Sequence, residues 1–268
     1  MEDRLRVELV AIGTEVVYGL TLDTNTHWLA QQVVRLGGDV RRVTKIHDER
    51  ETIQACFREA IERGSDLVIS TGGLGGTQDD ITNAALADLS GSDLIVHEGA
   101  LDDFVRRRGL ASRDELPPHF VRMATVPASA DVLRNEVGWA PGLHLLVAGT
   151  DLFALPGPPR EMEAVFVAHV LPYLTERSHV KTATTRLLIG LSYESQVAPH
   201  LDALMEAFPG AYLKARLGST PRKGWLPVDV LVVASNEADA KRRLQEVIAA
   251  FQQRLAGDGR PLEPLPDA

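Results

Sequence analysis

A chain of 268 residues with 44% hydrophobic and 24% charged residues has the balance of an ordinary folded protein, which excludes long disorder, and its length exceeds the roughly 100–200 residues of one domain. With 28 Lys+Arg against 37 Asp+Glu and a net charge of -9, nucleic acid is a poor default partner, although a locally cationic cleft would still admit a small anionic nucleotide. The lone Cys56 allows no intrachain disulfide, no run approaches the roughly 18 apolar residues of a membrane span, and no signal-peptide segment opens the chain, so a cytoplasmic protein with no membrane partner is expected.

Residues 7–12 form a short apolar run ending at Gly13, as a buried parallel strand does, and Leu29, Val33 and Leu36 then recur at helical spacing. Gly37 and Gly38 stop that helix. Residues 40–46 have strand character, and Ile53, Cys56, Phe57, Ala60 and Ile61 mark a second amphipathic helix with the cysteine in the core. The strand at 67–70 runs into a cluster of glycines, and an apolar helix begins near Ile81. Residues 142–147 and 152–155 read as paired strands around Ala148-Gly149-Thr150, and 160–173 as a helix that closes the domain. Beyond it come a strand at 182–189, a helical stripe of Leu201, Leu204, Met205 and Phe208, strands at 211–217 and 228–234, and a helix carrying Leu244, Val247, Ile248, Phe251 and Leu255 on one face.

This order predicts an α/β protein: a mainly parallel sheet sandwiched by helices over residues 1–178, then a smaller α/β domain, β-α-β-β-α, over 179–256. Residues 257–268, rich in Pro, Gly and Asp, are expected to be a mobile tail. Ligands of such sheets bind where the strands end at their carboxyl side.

The densest signal lies at such an end. In Thr71-Gly72-Gly73-Leu74-Gly75-Gly76-Thr77-Gln78-Asp79-Asp80, glycines let successive N–H groups converge on an anion, and the following helix N-terminus adds positive potential. It is neither a Walker A loop nor a dinucleotide fingerprint. The plainer alternative makes the glycines a tight turn and Asp80 a helix cap. Asp48 follows the strand at 40–46 and, with Glu51, also fits a capping-box variant. Yet Asp48 and Asp80 leave the same sheet edge, where their carboxylates could meet over one ligand as oxygen donors to Mg²⁺ or Mn²⁺. None of the eight histidines has metal-ligand spacing, and no serine sits in a nucleophile elbow. Pro156-Gly157-Pro158-Pro159-Arg160-Glu161 reads as ordinary helix-start grammar or as a rigid wall of a binding site.

Taken in order, Gly13-Thr14-Glu15 with Gly19 and Thr24-Asn25, then Asp48, then Gly72 to Thr82, then Asn135-x-x-Gly138-x-Ala140-Pro141-Gly142, and the run from Leu155 to Met162 resemble the competence/damage-inducible protein A (CinA-like) family. Gly76 stands where the family usually has proline, and so does Glu136. The resemblance implies a molybdopterin-binding, MoaB/Mog-like first domain and a KH-like second one, read as a scaffold or substrate cover because Gly218 to Gly224 looks like a hairpin turn. It implies no deamidase domain after Leu255, and a homo-oligomer, dimer or trimer. It also implies hydrolysis of ADP-ribose or a related dinucleotide such as FAD with Mg²⁺, Mn²⁺ or Co²⁺. Asp48 and Asp80 are then the catalytic metal holders, Gly72, Gly73, Gly75, Gly76, Thr77 and Asp79 the phosphate cradle, and Gly13, Thr14, Glu15, Asn135, Pro156, Gly157, Pro158 and Glu161 the walls. Adenylyl transfer to molybdopterin, and a non-catalytic nucleotide- or pterin-binding module, remain as alternatives.

Overall fold

The computed structural model describes residues 4–190, 193–216 and 223–265. These fall into two compact units, one made of Leu5–Val34 with Gly38–Arg177 and the other mainly of the chain from Ser178 onward.

The first unit alternates strands and helices: β1 (Arg6–Ile12), α1 (Thr14–Val17), α2 (Asn25–Arg35), β2 (Asp39–Ile46), α3 (Arg50–Glu62), β3 (Leu67–Thr71) and α4 (Thr82–Ser90). It continues through β4 (Leu94–Val96), α5 (Glu98–Arg108), α6 (Pro118–Met123), β5 (Thr125–Pro127), β6 (Asp131–Leu133), β7 (Gly142–Val147), β8 (Thr150–Leu155), α7 (Pro159–Val165) and α8 (Leu171–Arg177). The main sheet has the order β2-β1-β3-β8-β7-β6. Its first four strands are parallel and the last two antiparallel, as the paired strands around Ala148-Gly149-Thr150 require. Val7, Leu9, Val10, Leu67, Val68 and Ile69 are all buried, the signature of strands covered on both faces.

The α3 stripe of Ile53, Phe57 and Ala60 packs into the core. Cys56 lies half-buried against the same cluster, and burial pushes its thiol up to about 11. The helix expected at 160–173 is longer, because α7 passes through a π-helical turn, Phe166–Val170, into α8. Periodicity assigns nothing between Leu94 and Leu133, yet β4, α5, α6, β5 and β6 lie there, most of them too short to show a repeat.

The second unit is β9 (Lys181–Gly190), α9 (Ala198–Ala207), β10 (Ala211–Ala215), β11 (Trp225–Ala234), α10 (Glu237–Gly257) and β12 (Leu262–Pro264), with antiparallel order β10-β11-β9-β12. The Asn236 side chain caps α10 by accepting from Asp239 N at 2.9 Å, and Leu244, Val247, Phe251 and Leu255 are buried along it. Residues 217–222, which hold the end of the strand expected at 211–217 and most of the expected hairpin turn, lie outside the described residues. The tail reading is corrected over Leu262–Pro264: β12 pairs with β9, and Leu262 packs against the second core. Three residues with one apolar anchor carry no periodicity, which is why composition alone points to a loose end there. Residues 266–268 are outside the described residues. Among the described residues no helix is long and apolar enough to cross a membrane.

Candidate functional site

Strands β1, β2, β3 and β8 run parallel, so the loops that follow them leave one edge of the sheet. Those loops line a cleft of about 650 Å³, to which they bring Gly13, Glu15, Asp48, Gly72, Gly73, Gly75, Asp79, Asp80, Gly157 and Pro158, with Glu161 from α7. A second set comes from the stretch that sequence periodicity leaves blank, Arg108, His119, Phe120 and Met123, and from the loop between β6 and β7, Trp139 and Ala140.

The glycine loop is fixed mainly by backbone. Gly72 has φ 109°, and a Cβ there would sit 2.0 Å from the Ile12 carbonyl oxygen, so only glycine can pass this close beneath β1. Gly72 N donates to Leu155 O at 3.0 Å, Thr82 N to Gly73 O at 3.0 Å, and Thr82 Oγ1 to Gly72 O at 3.1 Å. The loop is thereby pinned to β8 on one side and to the start of α4 on the other.

Neither aspartate is a helix cap. Ile81 occupies the N-cap of α4 and Glu49 that of α3, both without a side-chain cap bond. The Asp80 carboxylate instead accepts from Thr77 N at 2.7 Å and from Thr77 Oγ1 at 2.6 Å, closing the loop on itself. Thr77 Oγ1 also contacts Asp79, and that hydrogen bond holds the Asp79 carboxyl below its usual range. The Asp48 carboxylate accepts from Thr14 N at 2.7 Å, at the start of the short helix α1.

Glu15, Asp48, Asp79, Asp80 and Glu161 therefore share one cleft, and none of the five has an ion pair among the described residues. The donor set is hard oxygen. Among the described residues no group of three or more His, Cys, Asp or Glu could hold a metal ion by itself. A Mg²⁺-like ion would need only one or two of these carboxylates, with ligand phosphates completing its shell. Asp48 and Asp80 would supply the protein's share.

Several expected wall residues act from behind the cleft instead. Asn135 is buried; its side-chain amide donates to Glu161 at 2.6 Å and to Ala140 O at 2.9 Å, while its oxygen accepts from Gly138 N at 2.8 Å. It folds the loop that bears Trp139 and aims Glu161. Thr71 Oγ1 holds the Pro156 carbonyl at 2.8 Å, and Asn25 Nδ2 holds that of Gly157 at 2.7 Å. Thr14, Gly76, Thr77 and Pro156 do not line the cleft either. Glu136 is exposed and pairs with Arg134 at 2.6 Å. Arg107, from α5, donates to the carbonyls of Asn135 and Gly138 at 3.0 and 2.6 Å and lies over the Trp139 ring at 4.4 Å. The sequence signal for the α5 side of this region is the run Arg106-Arg107-Arg108.

The parallel sheet thus gathers a glycine-rich loop and five carboxylates without ion pairs among the described residues at the carboxyl ends of its strands, the edge at which open α/β sheets bind their ligands. The chain belongs to the family described as probable molybdopterin binding domain, which matches residues 8–176. Proteins of Sulfurisphaera tokodaii and Pyrococcus horikoshii are 34% and 33% identical to it. The first aligns over 92% of this chain and 93% of its own length, the second over 94% and 95%. The solved structure of the protein CinA from Thermoplasma acidophilum, of unknown function, is 37% identical, covers 62% of this chain and 96% of its own, and superposes with a TM-score of 0.58. The CinA-like resemblance read from the motifs holds.

Proposed function

We propose that this cleft binds a phosphorylated pterin and that adenylyl transfer to its phosphate is the reaction the site serves. The observation that carries the reading is the meeting of a glycine cradle with five carboxylates that have no ion pair among the described residues, in a domain of the molybdopterin-binding family. A bound divalent cation would neutralise phosphate charge in such a site. The cradle at 72–75 holds one phosphate, and Asp80 and Asp48 orient oxygens around it. In the transfer, a pterin phosphate oxygen bonds to the α-phosphorus of a nucleoside triphosphate, the bond from that phosphorus to the bridging oxygen breaks, and pyrophosphate leaves.

Hydrolysis of ADP-ribose or a related dinucleotide, the first expectation from the sequence, uses the same cradle with water as the nucleophile. The description of the matching family as a probable molybdopterin binding domain favours the pterin reading, so we place hydrolysis second. The test incubates the protein with Mg²⁺ or Mn²⁺ and either ATP plus molybdopterin or ADP-ribose, beside Asp80→Asn. Adenylylated pterin and pyrophosphate, lost in the variant, are the expected products. AMP from ADP-ribose alone would move the assignment to hydrolysis, and tight binding without turnover of either would make the protein a binding module.

A further inference from the structure

Three arginines close α5, and such a run suits the negative end of a helix, but their surroundings differ. Arg106 pairs with Asp103, and Arg107 holds the carbonyls of Asn135 and Gly138. Arg108 makes no hydrogen bond or ion pair among the described residues; its guanidinium rests over the Phe120 ring at 4.9 Å and lines the cleft. His119 lines the same cleft, and its ring nitrogens likewise have no hydrogen-bond partner among the described residues. Neither side chain is paired with any of the five cleft carboxylates. The cleft thus holds two donor side chains without hydrogen-bond partners among the described residues beside five carboxylates without ion pairs.

Gly76 explains how His119 reaches the cradle. Its φ is not in the left-handed region, so conformation alone would admit another residue. Space does not: a Cβ at 76 would lie 2.5 Å from the His119 carbonyl oxygen and 2.7 Å from the His119 Cβ. The start of α6 is packed directly on the phosphate loop, and the glycine at 76 leaves room for that contact.

We propose that Arg108 and His119 form the subsite for a second phosphate of a diphosphate-bearing ligand, and that Gly76 lets this wall close on the cradle. The inference rests on the phosphate-binding reading of the cleft. The cradle takes one phosphate through backbone N–H groups, and the guanidinium and imidazole donors take the next. A ligand with linked phosphates is then preferred to a monophosphate, because charge-assisted hydrogen bonds to phosphate are stronger than neutral ones.

The experiment is calorimetric titration of the whole chain with AMP and with ADP, Mg²⁺ present, for wild type, Arg108→Gln, His119→Gln and Gly76→Ala. Wild type is expected to prefer ADP. Each of the first two variants should lose about tenfold or more in ADP affinity with AMP binding unchanged, the loss expected for one charge-assisted bond. ADP affinity equal to wild type in both Arg108→Gln and His119→Gln overturns the subsite and leaves the cradle reading standing. If wild type binds neither nucleotide nor inorganic phosphate, the cradle reading falls and the subsite with it. Gly76→Ala should reduce ADP affinity toward that for AMP; if it does not fold, the other two variants carry the test.

Discussion

The two ends of the parallel strands treat carboxylates in opposite ways. Toward the amino ends, Glu8 is buried and accepts from Arg63 at 2.9 and 2.7 Å and from Ser65 Oγ at 2.9 Å. Asp66 is held by Arg6 at 2.8 Å, and Asp151 meets His144 at 2.7 Å and the Tyr173 hydroxyl at 2.6 Å. Burial and the bond to Asp151 raise the Tyr173 hydroxyl well above its ordinary value. At the carboxyl ends five carboxylates share a cleft with no ion pair among the described residues, held only by neutral donors such as Thr77 and Asn135. Where charge serves only the fold it is neutralised inside the protein; where it is left open, the proposed ligand and its cation would supply the partner. Such a site holds the protein below its best attainable stability.

The largest test strikes the floor of the cleft. Gly72→Val places a branched side chain at φ 109°, against the Ile12 carbonyl. A loss of about 3 kcal/mol or more is expected from strain and overpacking, read as a fall in the urea midpoint, together with complete loss of nucleotide or pterin binding. A variant that unfolds at the wild-type midpoint would show that the loop is not pinned as described.

The amino-end counterpart is Arg63→Met, which leaves Glu8 buried without its cation. Breaking a fully buried pair costs about 3–5 kcal/mol, and since Arg63 is 31% exposed, about 2 kcal/mol is expected, with ligand affinity unchanged. The pH dependence follows from the same pairs. The carboxyls of Glu8, through its hydrogen bond from Arg63, and of Asp66, through that from Arg6, are held below their ordinary values of 4.5 and 3.8. A depressed carboxyl contributes stability that is fully present above its unfolded value and is lost as pH falls through its folded value. Stability should therefore decline as pH drops below about 4, and Glu8→Gln should flatten that decline. Melting curves in which Glu8→Gln loses stability as steeply as wild type in acid would remove this pair as the source.

The same two ends differ in how far the sequence discloses them. Glycines at 72–76 and aspartates after strands announce themselves, since only a few residue types meet those backbone and charge demands, and β1, β3 and β8 show as mostly apolar runs, whereas the polar β2 shows only by its β-branched residues. Arg108, His119, Phe120 and Trp139 reach the cleft from short elements and a loop with no periodicity, through contacts distant in sequence. Phe104, Phe120 and Trp139 pack with ring centroids 5.0–6.0 Å apart, and that aromatic cluster gives the second set of lining residues its shape. Asn135 stands out by motif, but its work in aiming Glu161 is visible only in three dimensions. β12 escapes for a related reason: one leucine packing on a distant core leaves no local pattern.

The smallest effect separates the two ends most sharply, because its sign reverses between them. Asp48→Asn keeps an oxygen to accept from Thr14 N while removing one of five unpaired charges, so stability without divalent metal should rise by about 0.5 kcal/mol as like-charge repulsion in the cleft is relieved. Asp66→Asn removes a charge that Arg6 already neutralises across a partly exposed pair, so stability should fall by a similar amount, about 0.5 kcal/mol. Adding Mg²⁺ with ADP at about 100 times the dissociation constant should stabilise wild type and Asp66→Asn by about 2.7 kcal/mol, and Asp48→Asn by much less. Matched denaturation curves for the three proteins, with and without Mg²⁺ and ADP, read all of these quantities. Equal shifts of one sign for both variants would mean that the cleft carboxylates belong to the fold after all.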